Sequence, residues 1–465
     1  MVPSDNVKHL LRKCIFSLAE QVLYILSHPH GPVDVMSLPD ILLPPVLDLP
    51  PCIAGCRRLL SWAIGPHFVL SHSVETPGMS RLELIATAAF GLEAVVSREL
   101  EALGYHEQIV EDGKVTFVAD ELAICRCNLW LRSADRVLVK VGAFPATDFG
   151  MLFDQTLLLP WAEWLPVDAK FPVSGKSVRS GLYAVSTVQA VTKKAIVEHL
   201  KKHSNRHWFE ENGPDFPIEV SILKDLATLT IDTSGIGLHK RGYRQEAGFA
   251  PLKETLAAAL VQLSYWNPER PFLDPFCGSG TIPIEAAFIA RNKAPGLDRH
   301  FTAEEWPRLT RELWKQAREE AKDKMLRKAP VPLIGQDIDS KVLKMARKHA
   351  QDAGVSTDID FKKDDVLELK KNRDYGVIVC NPPYGERMGT KSAAEAIYDD
   401  MADAFAPFDT WSIYVMSAHP GFEHFFRRQA NRRRKLYNGR IECTYYQYIG
   451  PRPPGEAPPP EPRPL

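Results

Sequence analysis

The stretch Phe272-Leu-Asp-Pro-Phe-Cys-Gly-Ser-Gly-Thr-Ile-Pro-Ile-Glu-Ala-Ala287 decides the fold class of this chain. Phe272 and Leu273 end an apolar strand, and Gly278-Ser-Gly280 makes a bend that lets backbone approach a ligand. Pro283 fits the first turn of a helix running through Ala286, Ala287, Ile289 and Ala290. Strand, glycine bend and helix in that order build the nucleotide corner of an open parallel α/β sheet. A dinucleotide fingerprint needs a third glycine where Pro283 stands, and a Walker loop needs Gly-Lys-Ser/Thr, which is missing. Asp274 at the strand end is instead suited to a cationic amino group, as a cofactor carrying an amino acid would require.

About a hundred residues on comes Asp374-Tyr-Gly-Val-Ile-Val-Cys-Asn-Pro-Pro-Tyr-Gly-Glu-Arg387. Residues 375–380 form an apolar, β-branched run that predicts a buried strand, ended by Asn381-Pro-Pro-Tyr384. Two prolines fix φ and donate no N–H, so the carbonyls of Asn381 and Pro382 stay free as acceptors, joined by the Asn381 side chain. Beside the Tyr384 ring they suit an exocyclic amine on a planar base, which would be held and polarised without a metal or covalent intermediate. The same tetrapeptide is also an ordinary strand-ending turn. The two motifs together resemble class I S-adenosylmethionine-dependent methyltransferases of the amino-group type. With the upstream half, the chain from about 80 to 450 resembles the THUMP-containing guanine-N2 methyltransferases that act on 23S ribosomal RNA.

That resemblance implies a Rossmann-like class I methyltransferase domain preceded by an α+β ferredoxin-like and THUMP RNA-binding region. It assigns catalysis to Asn381, Pro382, Pro383 and Tyr384, and cofactor binding to Asp274, Phe276, Gly278, Gly280, Thr281, Asp337, Asp365 and Asn381. Asp337 would accept the ribose hydroxyls and Asp365, or its neighbour Asp364, would read the adenine amine. It also implies that 237–254 contacts substrate through Arg241, Arg244 and Lys253, and it anticipates a charge-rich insertion at 293–329, which the sequence predicts to be helical. Guanine N2, adenine N6 and cytosine N4 are all exocyclic amines, so guanine and rRNA come from the resemblance alone. The alternatives are a tRNA guanine-N2 or DNA amino methyltransferase, or a non-catalytic RNA-binding assembly factor.

Periodicity upstream predicts strand 82–86, helix 91–103, strands 107–111 and 115–118, helix 121–131 and strand 136–143, the order of a ferredoxin-like unit. Helix 149–164, strand 168–173, helix 188–203 and strands 218–223 and 227–232 follow. Between Lys170 and Arg206 stand eight Lys or Arg against the single acid Glu198, a block suited to phosphate, with Lys176, Arg179, Lys193 and Lys194 as candidate RNA contacts. Seven more cations without an acid, from Arg427 to Arg440, add Arg433.

The expected domains are a poorly ordered or mis-called extension at 1–78, a ferredoxin-like unit at 79–145, a THUMP-like domain at 146–236, a methyltransferase domain at 237–450 and a disordered proline-rich tail at 451–465. Since the chain ends without the second methyltransferase of fused relatives, a single modification is expected. A net charge of −1 over 465 residues says nothing of nucleic acid by itself. Eight cysteines without paired spacing and no secretory leader fit a reducing cytoplasm. Nothing in the sequence asks for a metal, a membrane or an obligate protein partner, and Cys277 and Cys380 fit buried packing better than nucleophilic roles.

Overall fold

The computed structural model describes residues 81–204, 206–244, 252–383 and 391–455. The expectations for 1–78, for Tyr384 and for most of the tail lie outside the described residues. The front half runs Leu82–Ala88 (β1), Glu93–Ala102 (α1), Gln108–Glu111 (β2), Lys114–Ala119 (β3), Glu121–Trp130 (α2), Ala134–Pro145 (β4), Phe149–Leu158 (α3), Val173–Val178 (β5), Val185–His203 (α4), Ile218–Leu223 (β6) and Leu226–Asp232 (β7). The first six elements have the ferredoxin-like order that the periodicity predicts. Asp120 and Asp148 open α2 and α3 by accepting backbone N–H groups three residues on.

Strand β4 pairs antiparallel with β7, from Leu138 opposite Asp232 to Pro145 opposite Leu226. The front half is therefore one seven-stranded sheet of order β2-β3-β1-β4-β7-β6-β5. Two local expectations are corrected. The helix predicted over 149–164 stops at Leu158, because Pro160 cannot continue it, and a 3₁₀ turn follows at Trp161–Glu163. The strand predicted at 168–173 is instead Val173–Val178: Ala169 and Phe171 are buried without a ladder, while the strand itself lies on the sheet edge and alternates with polar residues.

The back half comprises Glu254–Leu263 (α5), Phe272–Asp274 (β8), Thr281–Ala290 (α6), Arg311–Asp323 (α7), Leu333–Asp337 (β9), Ser340–Asp352 (α8), Ile359–Lys363 (β10), Val377–Cys380 (β11), Lys391–Phe405 (α9), Ser412–Ser417 (β12), Phe422–Phe425 (α10), Arg432–Asn438 (β13) and Ile441–Tyr448 (β14). Its sheet order is β10-β9-β8-β11-β12-β14-β13, the first five strands parallel and β14 antiparallel to β12. The chain order reverses between β8 and β11, which opens the ligand crevice beyond their C-terminal ends. β11 and β12 are buried at every residue, as parallel strands covered on both faces must be. β11 begins at Val377 and not at 375, since Tyr375 has φ of 58° and a Cβ on Gly376 would lie 2.4 Å from the Trp411 indole. β13 sits inside the basic stretch read as a phosphate contact, with only Leu436 buried, so hydrophobic pattern does not reveal it.

The insertion at 293–329 is only partly helical, with a 3₁₀ turn at Thr302–Glu305 and α7 as its helical parts. It works as a clamp. Trp306 stacks on Phe216 of the front half at 4.6 Å and donates from its indole to the Asp215 carbonyl at 2.8 Å. Arg126 on α2 pairs with Glu320 at 2.9 Å, and Arg308 with Glu121 at 3.0 Å. One continuous apolar core runs through both halves.

Candidate active site

The glycine bend after β8 is held by backbone and carboxylate contacts that only a tight turn permits. Gly280 has φ of 83°, and a Cβ there would lie 3.1 Å from both the Ala346 methyl and the Phe361 ring. Cys277 N–H donates to the Gln336 carbonyl at 2.8 Å, and Gly278 N–H donates to Asp337 at 2.9 Å. Asp337 also accepts from Asp339 N–H at 2.9 Å, so both its oxygens are oriented at the end of β9. Asp339 caps α8, as α-helix starts prefer. Asp365 accepts from Leu367 N–H at 3.0 Å and Asp364 accepts from Gln336 at 3.3 Å, which leaves both acids beside the end of β10.

Asp274 is 1% exposed; one oxygen accepts from Phe276 N–H at 3.1 Å and the other, Oδ2, is buried without a partner. Burial first, and then the neighbouring Asp337 carboxylate, push its pKa well above the ordinary aspartate range. Burial likewise raises Asp337. A buried carboxylate with an unfilled acceptor is expensive unless a cation completes it. At the end of β11, the Asn381 side-chain carbonyl Oδ1 is also buried and unpartnered. Two buried acceptors without a partner therefore stand at the ends of the adjacent strands β8 and β11, where hydrogen-bond donors of a ligand could complete them. The charge and acceptor pattern agrees with S-adenosylmethionine, and the residues after Asp274 (Phe276, Gly278, Gly280 and Thr281) line the bend that would hold it.

The carbonyl of Pro383 accepts from the Tyr398 hydroxyl of α9 at 3.3 Å, and that hydroxyl lies 3.2 Å from Ser417 Oγ at the end of β12. Sequence reading missed Tyr398 and Ser417, because nothing in their spacing pairs them with the proline motif. Pro382 directly follows Asn381 on the same strand end, while Tyr384 lies outside the described residues. Cys380 and Cys277 are buried, and burial pushes both thiols up, away from the thiolate that nucleophilic work needs. Among the described residues no group of three or more His, Cys, Asp or Glu is arranged to hold a metal ion.

The arginines proposed for RNA in the connecting segment are not available to it. Arg241 is buried against Glu285 and donates to the carbonyls of Leu238 and Arg132; Tyr243 reaches the same Glu285 at 3.2 Å. Arg244 pairs with buried Glu254 at 3.1 Å and bonds Thr281 and the Leu252 carbonyl. Burial of a guanidinium demands such pairing: Arg241 ties the connecting segment to both halves, and Arg244 ties it to the back half. Lys253 stays exposed, 4.0 Å from Asp135.

The front-half cations remain at the surface but are laced with acids that lie just outside the sequence window: Lys176 with Glu219, Lys193 with Glu211, and Lys170 with Asp215. Arg179 sits in the loop after β5 with φ of 49°, and Lys194 lies over the Phe153 ring. Arg433 pairs with Glu423 at 2.7 Å.

Three family models match the chain: the RlmL ferredoxin-like domain over 83–138, the THUMP domain over 146–232 and the RMKL-like methyltransferase domain over 241–447. YpsC of Bacillus subtilis (strain 168), provisionally named an RNA methyltransferase, is 50% identical over 372 residues, 80% of this chain and 96% of its own length. A Listeria monocytogenes str. 4b F2365 structure, whose name calls it a predicted N6-adenine-specific DNA methylase, is 49% identical with a TM-score of 0.77, covering 80% of this chain and 97% of that one. The structure of SMU.472, provisionally named a methyltransferase and solved with SAH, is 43% identical with a TM-score of 0.76, covering 81% and 100%.

Proposed function

The chain belongs to the family of RNA methyltransferases that set a ferredoxin-like unit and a THUMP domain before an RMKL-like catalytic domain with S-adenosylmethionine as cofactor, and from that premise we propose that it methylates the N2 amine of a guanine in 23S ribosomal RNA. The observation that supports this reading is the pair of buried, unpartnered acceptors, Asp274 Oδ2 and Asn381 Oδ1, at the ends of adjacent strands β8 and β11. Bound in this crevice, S-adenosylmethionine supplies an electrophilic methyl group. Asp274 accepts its ammonium, Phe276, Gly278, Gly280 and Thr281 follow the cofactor chain, Asp337 accepts the ribose hydroxyls, and Asp365 takes the adenine amine. Asn381 and the Pro382 carbonyl accept the two N–H bonds of the target amine, which orients its lone pair. Tyr384 stacks on the extruded base, and Pro383, held by Tyr398, keeps the acceptors in place.

In this division of labour residues 79–145 and 146–236 hold RNA, 237–450 carries the chemistry, and the protein works in the cytoplasm. No helix among the described residues is long and apolar enough to cross a membrane. The name of the Listeria relative favours a second reading, an adenine amine in DNA, against which the ferredoxin-like and THUMP matches weigh. Nucleoside mass spectrometry of 23S rRNA, tRNA and DNA from a deletion strain separates the two. Loss of N2-methylguanosine from 23S rRNA is expected. Loss of N6-methyladenine from DNA selects the second reading, and an unchanged inventory selects a non-catalytic RNA-binding role. In the purified enzyme, Asn381→Ala should lower turnover on the order of a hundredfold with cofactor affinity little changed.

A further inference from the structure

Beyond the donor loops and the target-base motif, the same edge of the catalytic sheet carries a groove that neither uses. It has a volume of about 470 Å³ and is lined by Phe90, Leu92, Lys253, Leu256, Tyr437 and Gly439 among others. Three elements meet there: the loop before α1, the start of α5 and the β13–β14 hairpin. Because β14 runs antiparallel to β12, with Thr444 opposite the last β12 residue Ser417, the hairpin turn at 438–440 rises past the C-terminal edge of the parallel strands. The start of α5 is tied to the donor loop, since Arg244 bonds the Leu252 carbonyl, Glu254 and Thr281 together. Across the sheet the order is donor loops over β10, β9 and β8, the target motif on β11, and the groove over β14 and β13.

Phe90 is 51% exposed, and its ring meets Tyr437 edge to face at 5.9 Å. This exposure is built in. Gly91 N–H and Gly113 N–H both donate to Glu93, and a Cβ on Gly91 would lie 2.8 Å from the Lys435 carbonyl, so the loop is seated directly on β13. An edge-to-face pair leaves a ring face uncovered, and every nucleobase has a π-face to lay on one. Cations flank the rings: Lys253 on one wall, 4.0 Å from Asp135, Lys435 at 5.5 Å from the Tyr437 ring centre and paired with Glu442 at 2.7 Å, and exposed Arg440 at the hairpin turn. The positive φ of Gly439, with no atom near its would-be Cβ, keeps the tip narrow and open to a passing backbone.

We propose that this groove is a second RNA subsite, taking an unpaired nucleotide of the strand that carries the target base by stacking it on Phe90, with its edge against Tyr437, while Lys253 and Arg440 meet its phosphates. The inference rests on the RNA-substrate reading and extends it from the reacting base to its neighbours along the strand. Stacked aromatic contacts hold single strands without regard to sequence, whereas paired helices hide their base faces. The groove therefore discriminates for unpaired substrate.

The test uses the full-length protein with fluorescein-labelled oligo(A) and oligo(U) twelve-mers and a twelve-base-pair RNA duplex, read by fluorescence anisotropy. Phe90→Ala and Tyr437→Ala should each weaken single-strand binding about tenfold or more and leave duplex binding unchanged. Phe90→Trp should restore it, and Lys253→Ala should reduce the salt slope by about one. Thermal midpoint and SAH affinity, both expected to match the unsubstituted protein, show that each variant is folded. With an rRNA substrate, KM should rise while kcat at saturation holds. Unchanged single-strand affinity in folded Phe90→Ala and Tyr437→Ala overturns the subsite, and so does equal loss for strand and duplex. These binding readouts need no methyl transfer, so an enzyme that modifies no guanine would refute the proposed reaction while leaving the groove standing or falling on its own result.

Discussion

At the scale of single residues, Asp274 is the most informative. Its buried, half-satisfied carboxyl holds a proton to higher pH than an unfolded aspartate does. Between the ordinary aspartate value and the raised native one, the folded protein binds more protons than the unfolded chain, so this group makes stability fall as pH climbs through that window. A cofactor ammonium reverses the preference, because it pairs only with the ionised form. S-adenosylmethionine affinity should therefore weaken as pH is lowered through the raised value, with proton release on binding. Isothermal titration in buffers of different ionisation enthalpy reads this directly. Asp274→Asn should lower affinity roughly tenfold or more and abolish the proton release, while the unliganded protein becomes more heat-stable near neutral pH. Proton release that persists in Asp274→Asn would assign it to another group.

At the scale of elements, the end of β11 carries the proposed target-base acceptors. Its prolines free the carbonyls, yet free carbonyls need a rigid seat, and α9 with β12 supplies it through Tyr398 and Ser417. Tyr398→Phe removes only the hydroxyl. Net loss of such a bond destabilises by about 1 kcal/mol, but displacement of the Pro383 carbonyl should lower kcat about tenfold, with SAH affinity unchanged. A kcat equal to that of the unsubstituted enzyme would make the contact purely structural. β11, the proline motif after it and the glycine bend after β8 were legible in the sequence because they are local: an apolar run, two prolines, two glycines. Tyr398 was not, since its partner is fifteen residues away and only the tertiary fold brings the hydroxyl to the Pro383 carbonyl. β13 was hidden for a related reason. Its arginines and lysine lie on an edge strand, where charge discourages pairing with another sheet, and so imitate a phosphate-binding run. Arg241 and Arg244 misled in the opposite direction. Spacing gives their charge but not the carboxylates of Glu285 and Glu254 that bury it.

At the scale of the whole molecule, the buried Arg241 pair joins the THUMP-containing half to the methyltransferase half. Arg241 bonds Glu285 on α6 and the Arg132 carbonyl in the turn after α2, so one guanidinium spans the glycine-loop helix and the ferredoxin-like unit. With Trp306 clamped into the THUMP side and the core continuous, the two sheets should unfold together. Arg241→Met removes the cation that pairs with buried Glu285, which costs about 3–5 kcal/mol. Denaturant unfolding followed by far-ultraviolet circular dichroism and by tryptophan fluorescence should show one coincident transition in the unsubstituted protein. In Arg241→Met both signals should move to lower denaturant together, and Arg241→Met/Glu285→Leu should recover much of the loss because no uncompensated charge remains. RNA methylation at temperatures below the transition should survive in the double variant, since neither side chain meets substrate. Separate transitions for the two probes would mean that the halves are independent, and the rigid path from bound RNA to the reacting amine would then have to be replaced by a hinged one.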